Sequence, residues 1–499
     1  MMKGVKFVGS FILTFTISGV ALAQQWDQRG TTLQGESGGN QAGTSVALNY
    51  EGNVLAYGEI GYDGVFSDAG IVRIYKWDGT SWSKMVAPIT GPSGSAYMGS
   101  SVALDSAGET IVVGARYAAN TDNGNPSGIV KVYQRNGSLW TQKGNTLNGI
   151  NTVEFFGYDV DISSDGNIVI VGISQWKLNN TMVGRAKVFQ WDGSTWVQKG
   201  SDIEADAVEG KFGGSVAINR TGDIIAVSSI NANMYTKVYK WNGTQWVQMG
   251  STINNEATSV DLNGDGTILA IGNSSGGNKV GRVYEWNGSD WVQKGNDLRG
   301  NPSTNVKLGA SISINSAGDR VIIGDPQDGT SGKQGKVYIF SWDGSSWVKE
   351  DSIFADQDNY AFGNSVAMSG NGNTVAIGAP GYPPYNQTTG TVEVYERSNP
   401  PTSPTNVQEP DRETKVQAFI RDKNLVVKYA LTENVQTAEE ITIAIYNVSG
   451  QQIFQKKLAY RGIIEIPLSE INGSKMIYVA FETDKQVSDR IVIPVHIYE

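Results

Sequence analysis

Apolar and polar positions along this chain alternate in short runs, and the runs return in the same order. Ser45-Val46-Ala47-Leu48 is the first. Ser101-Val102-Ala103-Leu104, Asp159-Val160-Asp161-Ile162, Ser215-Val216-Ala217-Ile218, Ser259-Val260-Asp261-Leu262, Ser311-Ile312-Ser313-Ile314 and Ser365-Val366-Ala367-Met368 repeat it. A period of two is that of a strand with one face buried. Each run is followed by a turn carrying a glycine (Gly52, Gly108, Gly166, Gly222, Gly266, Gly318, Gly372) and then by an apolar stretch, such as 54–58, 111–114, 268–272 or 375–378. Continuous apolar runs of this length read as strands buried on both faces. After a connection of variable length comes a third strand, as at 71–77, 129–133, 186–191 and 337–342.

The third strand ends at Trp77, Trp191, Trp241, Trp286 or Trp342, and Asp-Gly or Asn-Gly then leads to a second Trp, at 82, 196, 246, 291 or 347. Asp-Gly and Asn-Gly between runs of β-formers close hairpins, so the two indoles are expected to face each other across the turn. A fourth strand of the form Trp-x-Gln-x-Gly continues from the second Trp. A degenerate copy at 135–144 has Arg135 at the first Trp position.

Four antiparallel strands in a unit, seven units at a period of roughly 45–58 residues, predict a β-propeller. The seventh unit stops at 391–397 without a Trp-x-Gln-x-Gly strand, while Trp26-Asp27-Gln28-Arg29-Gly30 stands unclaimed near the start. This spare strand is expected to complete the last blade, closing the ring and leaving only short edges. The expected fold class is therefore all-β: a seven-bladed β-propeller over 24–397, closed by an N-terminal strand, followed by a small C-terminal β-sandwich. Residues 398–413, rich in Pro and polar side chains, read as a linker. In 414–499 the Trp repeat vanishes and strands are expected at 415–420, 424–430, 440–447, 452–458, 462–467, 476–481 and 490–494.

Residues 1–23 carry Lys3 and Lys6, an apolar run from Phe7 to Val20, and Ala21-Leu22-Ala23 before Gln24. This is the pattern of a secretory signal peptide. No cysteine stands at the cleavage point, which excludes a lipoprotein, and no other segment has the apolar length of a membrane helix. A secreted or cell-surface location is expected, reached through the periplasm, with no transmembrane segment after signal removal.

Composition narrows the chemistry. The net charge of -10 falls to -12 when the two signal lysines are removed, which argues against nucleic acid or an anionic membrane as partner. There is no cysteine, and His496 is the one histidine. Disulfides, thiol nucleophiles, Cys/His zinc sites and a Ser-His-Asp triad in the main domain are thereby removed. Carboxylate chemistry and tyrosine nucleophiles remain.

The connections at 59–69, 115–127, 173–183, 325–334 and 379–389 are long and unlike one another, whereas the Gly turns and Trp hairpins repeat closely. In four-stranded blades these variable connections share a face with the links between blades, and variable loops on a rigid scaffold make binding surfaces. That face offers Tyr62, Tyr97, Tyr117, Phe155, Trp176, Tyr360, Tyr382 and Tyr385. Tyr62, Tyr117, Trp176, Tyr360, Tyr382 and Tyr385 are the expected ligand contacts, since aromatics among Asp and Asn suit sugar stacking or protein contact. Asp261-Leu262-Asn263-Gly264-Asp265-Gly266 has the alternate oxygen donors and glycine turn of a calcium loop, making Asp261, Asn263 and Asp265 the candidate metal ligands, although Leu269 stands at the ninth position. Any calcium there would be structural, and no cofactor is required. The loop pairs Asp63/Asp68 and Asp356/Asp358 could in principle serve a glycosidase, but no motif marks them, and no catalytic residue is assigned.

Two stretches resemble known families. Phe362-Gly363-Asn364-Ser365-Val366-Ala367, continuing through Thr374-Val375-Ala376-Ile377-Gly378-Ala379-Pro380, resembles an FG-GAP repeat, the blade motif of integrin α-subunits and many bacterial surface proteins; Phe212-Gly213-Gly214-Ser215-Val216-Ala217 and Leu308-Gly309-Ala310-Ser311-Ile312 echo it. Integrin repeats with an Asp-x-Asn-x-Asp-Gly motif bind calcium in the corresponding turn. The hairpin Asp-Gly-x-x-Trp is similar to the Asp-box of sialidase propellers, except that the box separates Asp from Gly by one residue. The tail, at Ile441-Thr442-Ile443-Ala444-Ile445-Tyr446-Asn447-Val448-Ser449-Gly450-Gln451-Gln452, resembles the C-terminal sorting domain of the type IX secretion system of Bacteroidetes. It lacks the Tyr-Pro-Asn-Pro opening common in that family and runs on past Pro494. These resemblances imply delivery by the type IX machinery and a binding or adhesion module for a glycan or protein. The alternative is a secreted carbohydrate-active enzyme, a glycosidase or lyase using loop carboxylates.

Overall fold

The computed structural model of the chain describes residues 26–398, apart from positions 86 and 138 and the segments 179–180, 206–209, 231–233, 255–257, 276–278, 301–306, 328–334, 356–360 and 382–388, together with the strands of the tail beyond residue 414. The segment 1–23 and the linker to residue 413 lie outside the described residues. Gln24–Ser398 forms one compact unit.

That unit is a seven-bladed β-propeller. Blade 1 consists of Ala42–Leu48, Val54–Glu59, Ile71–Trp77 and Trp82–Lys84, hydrogen-bonded in that order. Blade 2 is Met98–Leu104, Thr110–Ala115, Ile129–Asn136 and Leu139–Gln142; blade 3 is Phe156–Ile162, Ile168–Ile173, Arg185–Trp191 and Trp196–Gln198. Blade 4 (Phe212–Ile218, Ile224–Ser229, Tyr235–Trp241, Trp246–Gln248) and blade 5 (Ser259–Leu262, Ile268–Asn273, Val280–Trp286, Trp291–Gln293) follow, then blade 6 (Ser311–Ile314, Arg320–Asp325, Lys336–Trp342, Trp347–Phe354). Blade 7 takes three strands from the end of the unit (Ser365–Met368, Thr374–Ala379, Thr391–Arg397) and its fourth, Trp26–Gln28, from the start. Trp26 pairs with Arg397 and Gln28 with Tyr395, as the unclaimed strand requires.

The first strand of each blade lies beside those of its neighbours, and that of blade 7 beside that of blade 1, so seven first strands surround a central channel. The second strands are buried along their length (Val54–Glu59, Thr110–Ala115, Ile168–Ile173 among them), with only Arg320 of blade 6 partly exposed, in keeping with their continuous apolar sequence. The core is not one mass but a set of slabs, each shared by two adjacent blades. Ile168, Ile170 and Val188 of blade 3 pack on Phe212, Val216 and Ile225 of blade 4 in one of them. A fully buried Ile, Val or Phe contributes about 1.5–3 kcal/mol, so these slabs are what hold blade to blade.

The Trp hairpins form as expected, with Trp77–Trp82, Trp191–Trp196, Trp241–Trp246, Trp286–Trp291 and Trp342–Trp347 centroids 5.4, 5.5, 5.3, 5.6 and 5.4 Å apart. Their wider role lies between blades. The indole Nε1 of Trp196 donates to the carbonyl of Lys143 in blade 2 (2.7 Å), and the Lys143 ammonium lies 5.3 Å from the Trp191 ring and 5.5 Å from Trp196. Trp246 uses Lys199 in the same way, Trp291 uses Met249, and Trp347 uses Lys294. At the closure, Trp82 donates to the carbonyl of Arg29 (2.8 Å), whose guanidinium lies 4.7 Å from the Trp77 ring. The glycine after the cation is equally constrained: Gly144 has φ +76°, and a Cβ there would come within 2.4 Å of the Trp191 ring. The repeated Trp-x-Gln-x-Gly is thus a latch, its tail seated on the Trp pair of the next blade.

A second set of bonds runs around the channel. Ser45 of blade 1 donates to Gly99 O of blade 2, and Ser101 to Asp159 Oδ1 of blade 3. Asp159 and Asp161 accept the N–H of Val216 and Ile218 in blade 4, and Ser215 Oγ accepts Val260 N of blade 5. Asp261 accepts Ile314 N and the Ser313 hydroxyl of blade 6, Ser311 donates to Gly363 O of blade 7, and Ser365 returns to Gly43 O of blade 1. The polar positions of the first-strand runs are the rungs of this ring.

The tail holds seven strands in two antiparallel sheets: Lys415–Arg421, Asn424–Ala430 and Ile463–Pro467 in one, and Glu440–Asn447, Gln452–Ala459, Met476–Thr483 and Ile493–His496 in the other. The side chains that would pack the expected sandwich lie outside the described residues.

Candidate ligand-binding face

The links between blades and the connections between second and third strands are bonded to one another on one face. Ser95 N donates to Ser67 O and Met98 N to Ala69 O, while Val153 N donates to Pro126 O and Gln175 N to Glu154 O. The entry to the first strand is a tight turn, in which the N–H of Thr44, Ser100, Tyr158, Gly214, Ala310 or Asn364 donates three residues back. In four of these turns the opening residue has left-handed backbone: Gln41, Tyr97, Phe155 and Ala361, at φ 59°, 52°, 58° and 69°. Ser95 and Val153 share that conformation at 52° and 57°. For a β-branched residue this is an outlier, and such strain costs on the order of 1–3 kcal/mol. The surroundings therefore hold the two aromatic turns, 95–97 and 153–155, in a fixed pose.

The consequence is a row of four rings across blades 2 and 3. Tyr97 meets Tyr117 edge-on at 5.3 Å, Tyr117 lies 4.5 Å from Phe155, and Phe155 is nearly parallel to Tyr158 at 6.4 Å. Tyr158 stands at the head of the innermost strand of blade 3, where the other turns place Thr44, Ser100, Gly214, Ala310 or Asn364. The Arg116 guanidinium lies 5.9 Å from the Tyr117 ring and 5.7 Å from Tyr158. Burial pushes the Tyr97 and Tyr158 phenols up, so both are neutral hydrogen-bonding groups at neutral pH. In the blade 1 connection whose Ser67 and Asp68 carbonyls accept Ser95 N and Tyr97 N, Val65 is 92 % exposed and Phe66 48 %.

Of the expected ligand contacts, Tyr117 is an exposed member of this row. Tyr62 is half-buried, 5.7 Å from an Arg73 guanidinium that is itself paired with Glu36 and Glu59. Trp176 is buried in the slab between blades 2 and 3, 4.5 Å from the Arg185 guanidinium, because its loop folds back so that Val183 N and Gly184 N both donate to its carbonyl. Tyr360, Tyr382 and Tyr385 lie outside the described residues. Tyr97 and Phe155 belonged to the wider set of face aromatics; Arg116 and Tyr158 were not anticipated. A residue-by-residue comparison of the strand-entry turns would have singled out Tyr158 by its size.

Of the candidate metal ligands, Asn263 and Asp265 meet within the turn, while Asp261 bonds across to the next blade. Asp261 faces the channel and bonds to blade 6 and to Leu262 N; Asn263 Oδ1 accepts Ile268 N, and Asp265 Oδ1 accepts Thr267 N and its hydroxyl, both within the turn. Among the described residues no group of three or more His, Cys, Asp or Glu is placed to hold a metal. Asp63 and Asp68 are joined within their loop, Asp63 Oδ1 accepting Asp68 N; Asp356 and Asp358 lie outside the described residues.

Inside the channel wall are three half-buried carboxyls, Asp159, Asp161 and Asp261. Loss of hydration pushes all three up, Asp261 to about 6, and repulsion from neighbouring carboxyls adds to the effect at Asp161 and Asp261. Each also accepts backbone N–H bonds from the next blade, so they serve the ring whatever else they do.

No family model matches this chain, and no curated protein matches it. Among solved structures, the β-propeller domain of Cps50 (Swd1) from Myceliophteria thermophila aligns over 75 % of this chain and 100 % of its own length, at 10 % identity and a TM-score of 0.48. So remote a likeness carries no information on function.

Proposed function

We propose that this is an exported binding module of the secreted or cell-surface type, which holds a glycan or protein on the variable-loop face of its propeller. The observation that carries the reading is the row Tyr97–Tyr117–Phe155–Tyr158, built from loops strained into place at Tyr97 and Phe155. The same left-handed turn occurs at Gln41 and Ala361, so it belongs to the repeat; what distinguishes blades 2 and 3 is that it carries aromatic rings there, Tyr97 half-buried and Phe155 buried beneath the exposed Tyr117. In this reading the blades are FG-GAP-like, with the buried Phe156, Phe212 and Phe362 each followed by a glycine. Residues 1–23 are a signal peptide and the tail is a type IX sorting domain, which supplies the secretion machinery as a further partner.

A carbohydrate-active enzyme is the second reading, and it rests on Asp159, Asp161 and Asp261. Carboxyls that share one channel with raised proton affinity have the makings of a general acid. A glycan-array screen of the full chain, with and without calcium and with release of sugar followed in parallel, separates the two. Retention without turnover supports the binding module, and calcium dependence would restore the turn at 261–265 as a metal site. Released sugar would overturn the module in favour of the enzyme.

A further inference from the structure

Resting on the binding reading, we infer that the sugar held by the blade 2–blade 3 row carries a carboxylate, and that Arg116 is the group that recognises it. Arg116 is half-buried between the rings of Tyr117 and Tyr158, and among the described residues it makes no ion pair and no side-chain hydrogen bond. Other half-buried or buried arginines of the propeller are paired. Arg73 has Glu59 and Glu36, Arg185 has Asp202, Arg282 has Asp297, and Arg397 has Glu350. In a chain of net charge -10 a guanidinium left without a carboxylate is conspicuous. Desolvated cations are normally matched by an anion.

The geometry favours an acidic sugar over a bare anion. A guanidinium binds a carboxylate through two parallel N–H···O bonds, and the aromatic row beside it offers flat apolar area for the C–H face of a pyranose. The ligand would then lie along Tyr117 and Tyr158 with its acid group toward Arg116. Asp159, next to Tyr158 on the innermost strand, and Asp68, beside Tyr97, set a limit. Together with the net charge they disfavour a densely charged polymer, so one acid group per bound unit is the form that fits.

The test is titration calorimetry of the full chain with oligosaccharides of galacturonate and of glucuronate, each beside its neutral galactose or glucose counterpart. The same titrations are made on Arg116→Gln after its melting curve has been matched to that of the unsubstituted chain. The expected result is binding of one or both acidic series at least about tenfold tighter than the neutral counterpart, with that advantage lost in Arg116→Gln. Preference for one acidic series over the other would identify the sugar. Equal binding of acidic and neutral sugars, or an unchanged preference in Arg116→Gln, overturns the role of Arg116 while leaving a glycan-binding face intact. Binding of no sugar at all overturns the inference together with the glycan form of the binding reading.

Discussion

At the scale of single residues, this propeller puts most of its polar side chains to work between blades. The channel aspartates are the clearest case. Asp261 has its carboxyl pushed up to about 6 by burial, while accepting bonds from Ile314 and Ser313 across the blade boundary. A carboxyl whose folded pKa lies above its ordinary value near 4 contributes stability below about pH 4, and loses it as pH rises through 6. The exposed turn aspartates work in the opposite sense. Backbone N–H bonds hold Asp343 at about 2 and Asp192 below its usual range, so they are already ionised throughout the window from 5 to 7. The propeller is therefore expected to melt at a higher temperature at pH 5 than at pH 7, and Asp261→Asn to flatten that dependence. Melting curves across the window check this; a dependence that is reversed, or unchanged in the variant, contradicts it.

The element that repeats is the fourth strand with its latch. Trp196 is buried, donates to Lys143 O at 2.7 Å and faces Trp191, so Trp196→Ala removes a large core side chain together with an inter-blade bond. A loss of about 3–5 kcal/mol is expected in denaturant unfolding; Trp196→Phe should lose less, since only the indole N–H goes. A cost below about 1 kcal/mol would show that the rest of the slab holds blade 2 to blade 3 without Trp196. The departures from the repeat are as informative as the copies. Ser228 stands in blade 4 where Gly58 stands in blade 1, and blade 5 lacks the Phe-Gly entry turn. In blade 1 a Cβ at Gly58 would come within 2.0 Å of Gly99 O in the entry turn of blade 2; without that turn in blade 5 the glycine opposite is not required. Tyr158 is a departure of the other kind, a large ring at a place otherwise filled by small or short polar residues, and it is where the candidate face lies.

At the scale of the whole molecule, strand periodicity and the Asp-Gly or Asn-Gly hairpins were legible from the chain, and so were the seven units and the ring closure. Each rests on local chemistry: alternation, turn residues, a missing strand at one end and a spare one at the other. What was not legible is what depends on the distance between blades. Nothing local marks the Trp pair as the seat for the lysine of the preceding blade, or Ser and Asp of the first strand as bonding sideways. The same limit explains the site. Trp176 looked exposed because it fell outside the Trp frame, yet its loop folds it into a slab, whereas Arg116 gained significance only once it was seen to lie between two rings with no ion pair among the described residues.

The central claim is that the blades are held pairwise and that the start of the unit closes the ring. Trp26–Gln28 supplies the outer strand of blade 7, Arg29 N donates to Val394 O, and Arg29 O receives the Trp82 indole of blade 1. The most direct measurement is the melting curve of the chain with residues 26–30 deleted, set beside that of the intact chain. The loss of a buried Trp, three strand pairings and a latch predicts a midpoint lower by more than about 10 °C. An unchanged midpoint would contradict closure by the N-terminal strand.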